Sequence, residues 1–198
     1  MSDTEPPQAN FKFTAHPSVA SFAVPSEKYL STHPEEETKY NVIATGALVF
    51  DSSTPERILL IQRAAHDSMS SRWETPGGGC DKQDASILHG VARELWEEAG
   101  LTAVRIGPQV GGCHLFFTRS GIPVGKYSFL VDAEKGADGK LDVKLDPGEH
   151  QNYVWAAEEE VKSRKVGEIE LKFTTREQEA FVLEAFKVRR EMSAHTQE

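Results

Sequence analysis

The segment from Gly77 to Gly100 constrains the fold more than any other part of the chain. It opens with three consecutive glycines, and a loop of this kind lets backbone N–H groups approach a ligand closely. Apolar residues then recur every four positions, which predicts an amphipathic helix from about Asp84 to Gly100. Gly100 stands where a glycine commonly ends a helix. The apolar stripe of this helix consists of Ile87, Val91, Leu95 and Ala99.

Three carboxylates accompany that stripe. Glu94, Glu97 and Glu98 are separated by three and four residues, so they share one side of the helix. Like charges at this spacing repel one another, and the helix dipole disfavours anions near its C-terminus. Mg²⁺ or Mn²⁺, which prefer oxygen ligands, would relieve that repulsion. The glycine loop and the carboxylates together predict a metal-bridged phosphate site, where water attacks a phosphorus atom of a diphosphate.

These residues resemble the Nudix box. The family pattern is Gly-x5-Glu-x7-Arg-Glu-U-x-Glu-Glu-x-Gly-U, with U aliphatic, and the chain matches it from Gly79 to Leu101 at every position except one. The exception is Ala85, where the family usually has Glu; the neighbouring Asp84 is a partial substitute that points in a different direction. The flanking sequence Trp73-Glu74-x-Pro76-Gly77-Gly78 is also typical of the family. The resemblance implies an α/β fold, a Nudix-type α/β/α sandwich with a mixed β-sheet.

The resemblance also implies roles for single residues. Glu94, Glu97 and Glu98 are the implied metal ligands, and Arg93 is the residue that orients them. In the family, the glutamate that is missing here holds the loop against the helix through this arginine, so the rigidity of the site is in question. Relatives often add a carboxylate from a loop outside the box, and Glu149 is our candidate, with an ordinary loop residue as the alternative. Either Glu98 or Glu149 would activate the water, and the predicted catalytic residues are Arg93, Glu94, Glu98 and Glu149.

Three further residues are predicted to bind substrate. Gly78 and Gly79 would direct backbone N–H groups at phosphate oxygens. Arg63 ends a strand that should point at the cleft, where a guanidinium would bind phosphate, although a salt bridge is an equal alternative. The histidines have no metal-binding spacing, so we expect structural or exposed roles for them, with His150 the least certain.

The chain divides into three parts. Residues 1–40 contain five of the ten prolines and are expected to form an irregular arm, partly disordered at its start and anchored by its aromatic residues. Residues 41–192 form the expected Nudix domain, whose last helix begins at Thr174 in a capping box with Glu177. Residues 193–198 are expected to be a flexible tail. The predicted strands are Asn41–Phe50, Arg57–Arg63, Val104–Val110, Cys113–Thr118, Lys126–Ala133 and Tyr153–Ala156.

Composition restricts the class of partner. The formal net charge of −9 argues against binding to a nucleic acid polymer. No apolar run approaches the roughly 20 residues that a membrane span requires, and we do not expect a secretory signal, because no charged segment followed by an apolar stretch opens the sequence. Two cysteines, Cys80 and Cys113, make neither a disulfide scaffold nor a CxxC metal spacing. We therefore expect a cytoplasmic protein with a phosphorylated small-molecule substrate and no membrane partner, and the arm favours a homodimer.

Two function classes follow. The favoured function is a Mg²⁺- or Mn²⁺-dependent hydrolase that cleaves a diphosphate linkage in a nucleoside diphosphate linked to another moiety. The alternative is a non-catalytic Nudix-fold module that binds a nucleotide or regulates, because Ala85 would loosen the site. An isomerase of isoprenoid diphosphates is a third option, but the sequence has no evident Cys/Glu pair to support it.

Overall fold

Fifteen short and long elements make up residues 11–195, which are the residues that the computed structural model describes. In chain order they are β1 (Thr14–Ala15), a 3-10 helix (Pro17–Phe22), α1 (Ser26–Thr32), α2 (Pro34–Glu37), β2 (Val42–Val49), β3 (Arg57–Arg63), β4 (Trp73–Glu74), α3 (Ile87–Ala99), β5 (Ala103–Phe117), β6 (Pro123–Ala133), β7 (His150–Ala157), α4 (Glu158–Ser163), β8 (Lys165–Val166), β9 (Ile169–Glu170) and α5 (Arg176–His195).

The strands form two main sheets that meet at β2 and β3. The first has the order β1-β5-β6-β2, in which β2 and β6 are parallel and β5 and β6 are antiparallel. The second is antiparallel with the order β4-β3-β7, and β8 and β9 make a separate hairpin. A bridge between Phe50 and Ile58 joins β2 to β3. The strands therefore make one mixed layer, as the resemblance implied.

Two apolar clusters cover the two faces of this layer. Because side chains alternate along a strand, Tyr127, Phe129 and Val131 of β6 pack towards α3, while Leu130 packs towards α5. The stripe predicted for the box helix is buried in the first cluster. Val182, Ala185 and Phe186 of α5 are buried in the second. Helices on both faces of a mixed sheet make the α/β/α sandwich that the sequence predicts.

The arm packs on the domain as a series of short helices. Phe22 and Tyr29 are buried in the same cluster as α3, and Phe11 and Phe13 pack against it partly buried. The carbonyl of Val24 accepts the N–H of Ile87 at 2.9 Å, so the arm also holds the first turn of α3. The expected irregular arm is thus ordered and helical over its described part. The disorder expected at the start of the arm concerns residues 1–10, which lie outside the described residues.

Several element boundaries differ from the predicted ones. The box helix begins at Ile87, because the Ser86 hydroxyl caps it by accepting the N–H of His89. The last helix begins at Arg176, since Thr175, not Thr174, accepts the N–H of Gln178 at 3.0 Å. It continues to His195, into the segment predicted as a tail, whose residues 196–198 lie outside the described part.

Two strands predicted separately are one. β5 runs from Ala103 to Phe117, and irregular register against β6 marks the positions where the prediction interrupted it. Gly111 lies there with φ 65°, a left-handed conformation that favours glycine. Within residues 11–195, no helix has both the length and the apolar character needed to cross a membrane.

Candidate active site

The glycine loop lies along the free edge of β2. The carbonyls of Pro76 and Gly78 accept the N–H groups of Ala47 and Thr45, both at 2.8 Å. Gly77 has φ 149°, and a Cβ at this position would overlap the Thr45 carbonyl. Only glycine fits so close to the strand, which explains why the loop needs this residue.

Two box glutamates reach back over the loop from α3. Glu98 is buried, and its Oε2 accepts the N–H of Gly77 at 2.6 Å. A Cβ on Gly78 would lie 2.6 Å from Oε2 of Glu94, so this glycine makes room for a carboxylate. Glu97, the third predicted ligand, lies further out and its side chain is 41% exposed. The structure thus brings two of the three predicted ligands, Glu94 and Glu98, to the glycine loop.

Arg93 connects these carboxylates to the loop. Its Nη1 donates to Glu94 at 2.9 Å and to Glu97 at 2.8 Å. Its Nη2 donates to the carbonyl of Gly79 at 2.8 Å. The same guanidinium donates to both carboxylate oxygens of Asp84, each at 3.0 Å. Arg93 therefore links Glu94 and Glu97 to the glycine loop, and its orienting role stays a prediction.

Asp84 makes the contact with Arg93 that the resemblance implies for the missing glutamate. Its carboxylate is buried and also accepts the N–H of Asp81 at 2.8 Å, whereas Ala85 is exposed. A Cβ on Gly90 would lie 3.0 Å from Oδ2 of Asp84, so a glycine within the helix provides the space for this carboxylate. The neighbouring aspartate thus pairs with Arg93 despite its one-residue shift.

A second chain of charged groups lies behind Glu98. Arg63 donates to Asp67 and to the buried Glu74, both at 2.6 Å. Nε2 of the buried His150 lies 3.4 Å from Oε1 of Glu74 and 3.9 Å from Oε1 of Glu98. Arg63 thus makes the salt bridges named as the alternative for it, and its contact with substrate stays a prediction.

Glu149, the candidate base from outside the box, lies beside Glu98 and His150. Oxygen atoms of Glu98 and Glu149 and a ring nitrogen of His150 lie within 4.8 Å of one another. The Ala64 N–H donates to the carbonyl of Glu149 at 2.8 Å, which fixes this loop at the end of β3. Glu149 is exposed, and Nδ1 of His150 is buried with no hydrogen-bond partner among residues 11–195.

The electrostatics of the cluster fit a divalent cation. Burial raises the pKa of Glu98 well above its usual value, and the charges of Glu94 and Glu74 raise it further. Burial likewise raises the pKa of Glu94, against the lowering effect of Arg93. Carboxylates that resist ionisation because of burial and mutual repulsion gain most from a bound cation. The oxygen donors are also those that Mg²⁺ and Mn²⁺ prefer.

Glu74 behaves differently from the box glutamates. Burial raises its pKa, but the hydrogen bond from His150 and the charges of Lys126 and Arg63 outweigh burial, so the net shift is downward. Its carboxylate therefore stays charged behind the predicted metal ligands. Glu74 and His150 are the residues that the sequence analysis missed; the signals were the Trp73-Glu74-x-Pro76 flank and the position of His150 directly after Glu149.

The family assignment follows from a comparison of the whole chain. The family model of the NUDIX domain matches residues 40–176. The chain belongs to the Nudix family. No protein with a curated description matches this Nudix chain.

Solved structures agree with the fold. The MutT protein from Methanosarcina mazei Go1 is 28% identical, and the match covers 77% of this chain and 96% of that one with a TM-score of 0.54. An Ap4A hydrolase from C. elegans is 19% identical, with 76% and 99% of the two chains covered and a TM-score of 0.56. The NUDIX domain of Shewanella oneidensis NrtR, solved with ADP ribose, is 18% identical, with 81% and 96% covered and a TM-score of 0.54.

Proposed function

We propose that this Nudix protein hydrolyses a diphosphate linkage in a nucleoside diphosphate joined to another moiety, and that it requires Mg²⁺ or Mn²⁺. The convergence of Glu94 and Glu98 on the glycine loop carries this proposal. The buried carboxylate of Glu98 and the largely buried carboxylate of Glu94, held against loop glycines by a backbone N–H and an arginine, are costly without a divalent cation. A function that includes metal binding explains that cost.

The chain's own residues would hold the reactants in place. Glu94, Glu97 and Glu98 would bind the metal. Arg93 would hold the side chains of Glu94 and Glu97, and the N–H of Gly77 would hold Glu98. The bound metal would neutralise phosphate charge and lower the pKa of a coordinated water. The N–H groups of Gly78 and Gly79 would contact phosphate oxygens, since the loop already faces the carboxylates.

Glu149 is the better of the two candidate bases. Glu98 is buried and its Oε2 accepts the N–H of Gly77, and its carboxylate would also bind the metal, so it is less suited to accept a proton from water. Glu149 is exposed beside Glu98 and is free to take a proton from water and release it to solvent. The water oxygen then bonds to phosphorus, the bridging P–O bond breaks, and two phosphorylated products leave.

The names of two structural neighbours support this substrate class. Ap4A and ADP ribose, which appear in those names, each contain phosphate–phosphate linkages between a nucleoside and a second group. The acidic net charge of the chain is compatible with such substrates if a metal neutralises the phosphates locally. The two free cysteines favour a reducing, cytoplasmic compartment for this reaction.

The experiment is a product-release assay with the full chain. The panel contains ordinary and oxidised nucleotides, ADP ribose, NADH, diadenosine polyphosphates, CoA and isoprenoid diphosphates, each with Mg²⁺, with Mn²⁺ and with chelator. Glu98→Gln preserves size while removing the charge, and we expect it to lower kcat by about 100-fold or more, as losses of electrostatic stabilisation do. Glu168→Gln is the matched control, because Glu168 is 98% exposed.

The alternative of a non-catalytic module is an outcome of the same assay. It depends on a site loosened by Ala85, and the pairing of Asp84 with Arg93 argues against that loosening. If no compound is cleaved with either metal while the metal still raises the thermal midpoint, the hydrolase proposal is wrong.

Light scattering on the same sample tests the predicted homodimer.

A further inference from the structure

A lysine crosses the sheet towards the glycine loop. On the face of β6 that packs towards α5, the side chains change from the buried Leu130 to Ser128 and then to the half-buried Lys126. A Cβ on Gly46 would lie 3.1 Å from Cε of Lys126, and a Cβ on Gly77 would lie 2.7 Å from Cα of Gly46. Only the backbone of Gly46 therefore lies between the side chain of Lys126 and the glycine loop at Gly77.

The charge of Lys126 acts on the active site. Burial raises the pKa of Glu98 and of Glu74, and in both cases the positive charge of Lys126 opposes that effect. Among residues 11–195, the ammonium group of Lys126 has no hydrogen-bond or ion-pair partner. A half-buried ammonium without a carboxylate partner, next to a phosphate site, is suited to bind an anionic ligand.

Aromatic side chains lie next to Lys126 on the same face of the sheet, the one that packs towards α5. His114 lies opposite Lys126 in the pairing of β5 with β6. The His114 ring lies 5.5 Å from the ring of Phe116 and 6.0 Å from the ring of Phe181, and all three side chains are half-buried. The two strand residues and the α5 residue thus form a partly open aromatic wall beside the lysine.

The backbone of β5 is shaped to hold Phe181. A Cβ on Gly111 would overlap the ring of Phe181, and Gly111 has the positive φ that interrupts the strand. One helical turn earlier, the buried Gln178 donates to the hydroxyl of Thr75 at 3.0 Å. Because Thr75 directly follows Glu74, this bond ties the wall to the active-site loop.

We infer that Lys126, His114 and Phe181 form the subsite for the nucleoside phosphate part of the substrate, an inference that rests on the proposed function. Lys126 binds the phosphate next to the one that reacts, and the rings of His114 and Phe181 stack on the base. Stacking on aromatic side chains suits any planar base, whereas isoprenoid and inositol groups offer no planar ring. The subsite therefore selects nucleoside diphosphates over other diphosphates.

The test compares two non-hydrolysable probes that differ only by adenosine. The dissociation constants of α,β-methylene-ADP and of methylenediphosphonate are measured by calorimetry with Mg²⁺. We expect Lys126→Gln to weaken both probes about 10-fold or more, because a charge-assisted contact to phosphate is lost. Lys126→Arg should recover most of that loss. We expect Phe181→Leu to weaken α,β-methylene-ADP about 10-fold and to leave methylenediphosphonate within 2-fold, as loss of base stacking predicts.

Matched controls separate binding from folding. Phe117 follows Phe116 on the same strand and is 67% exposed, so Phe117→Leu should change neither constant. Lys140→Gln, in an exposed loop, is the control for the lysine. The thermal midpoint of each variant is measured, and His114→Ala provides a second test of stacking if Phe181→Leu does not fold.

Three binding results would overturn the inference: no binding of either probe to the wild-type chain, no effect of Lys126→Gln, or an equal effect of Phe181→Leu on both probes. Hydrolysis is measured separately. A chain that shows the expected binding pattern but cleaves nothing contradicts the proposed function and retains the nucleotide subsite. A chain that cleaves nucleotides with unchanged kcat/KM in both variants retains the hydrolase and contradicts the subsite.

Discussion

The guanidinium of Arg93 donates to both carboxylate oxygens of Asp84, from Nε to Oδ1 and from Nη2 to Oδ2, each over 3.0 Å. Parallel bonds of this kind fix orientation as well as distance. Since Arg93 also donates to the carbonyl of Gly79 and to Glu94, the pair links the glycine loop to the side of α3 that carries the box glutamates. The Nudix box of this chain thus has its arginine anchored although Ala85 replaces the usual glutamate.

Asp84→Ala should weaken both the fold and the site. The substitution removes one carboxylate partner of Arg93, and the side chain of that partner, Asp84, is only 8% exposed. Breaking a buried ion pair costs about 3 kcal/mol of unfolding free energy. We also expect kcat to fall about 10- to 100-fold, as when residues behind metal ligands are removed. Urea unfolding and steady-state kinetics measure the two effects. Asp81→Ala is the control, because that carboxylate is 70% exposed and lies 3.8 Å from Arg93, and an equally large effect there would contradict the role of Asp84.

Ala85→Glu should not raise activity. Ala85 is exposed, and Nε and Nη2 of Arg93 are already engaged by Asp84. A new carboxylate at position 85 therefore adds a charge without a free donor. We expect kcat/KM to stay within about 3-fold of the wild-type value, since surface substitutions have small effects. A rise of 10-fold or more would mean that the natural site is handicapped.

Gly90→Ala should destabilise the protein, although alanine usually stabilises a helix by about 1 kcal/mol relative to glycine. The added Cβ would lie 3.0 Å from Oδ2 of Asp84 and 3.2 Å from Sγ of Cys80. The carboxylate is held by Arg93 and has little freedom to move away. We expect a loss of about 1 to 2 kcal/mol in unfolding free energy, as for other overpacked sites.

The cause of the stability loss in Gly90→Ala can be identified by making the same substitution in the Asp84→Ala variant. In Asp84→Ala, the oxygen that Gly90→Ala would crowd is absent, so the same substitution should become neutral or stabilising. A double-mutant cycle measured by urea unfolding gives the coupling free energy. Equal losses in both backgrounds would assign the effect to Cys80 or to the helix instead.

The periodic parts of the sequence predict the fold well, and the irregular parts do not. The four-residue stripe from Ile87 to Ala99 predicts the buried face of the box helix, and all four of its side chains are buried. The interruption of β5 was wrong because a glycine bulge resembles a turn in sequence, while its pairing with β6 continues. The helices of the arm were missed because their burial depends on contacts with distant residues such as Tyr127 and Phe129.

The candidate site shows a similar division. Fixed spacings within the box predict the side of the helix on which Glu94 and Glu98 lie, because helical geometry is local. The direction of the Asp84 side chain was not predictable, since it depends on the space beside Gly90. The place of His150 between Glu74 and Glu98 depends on the pairing of β3 with β7, which brings together residues distant in sequence.

Glu149→Gln should lower the rate while sparing the metal. The residue is exposed beside Glu98, and its amide variant keeps shape but no longer accepts a proton. General bases contribute about 100- to 10,000-fold, so we expect kcat to fall within that range. Calorimetry with Mn²⁺ should show a dissociation constant within a few-fold of the wild-type value. Unchanged kcat would leave Glu149 an ordinary loop residue, and a lost metal site would make it a ligand.

Asp67 should contribute stability that depends on pH. Hydrogen bonding from Arg63 holds the pKa of Asp67 well below its usual 3.8, with help from the N–H of Met69. A lowered pKa in the folded state stabilises the protein fully above the unfolded value, and this contribution is lost as pH falls below about 4 towards the folded value. Asp67→Asn should therefore cost about 1 to 2 kcal/mol at pH 6, in line with a partly buried, charge-assisted pair.

The cost of Asp67→Asn should be about 1 kcal/mol smaller at pH 3, where the unfolded chain binds a proton that the folded protein does not. Urea unfolding of both proteins at the two pH values measures the difference. Asp142→Asn is the control, because Asp142 and its partner Lys144 are 76% and 75% exposed. A cost that is equal at pH 6 and pH 3 would mean that Arg63 does not hold the Asp67 carboxylate in solution. Nη2 of Arg63 would then be available for the substrate contact predicted from the sequence, while Nη1 remains paired with Glu74.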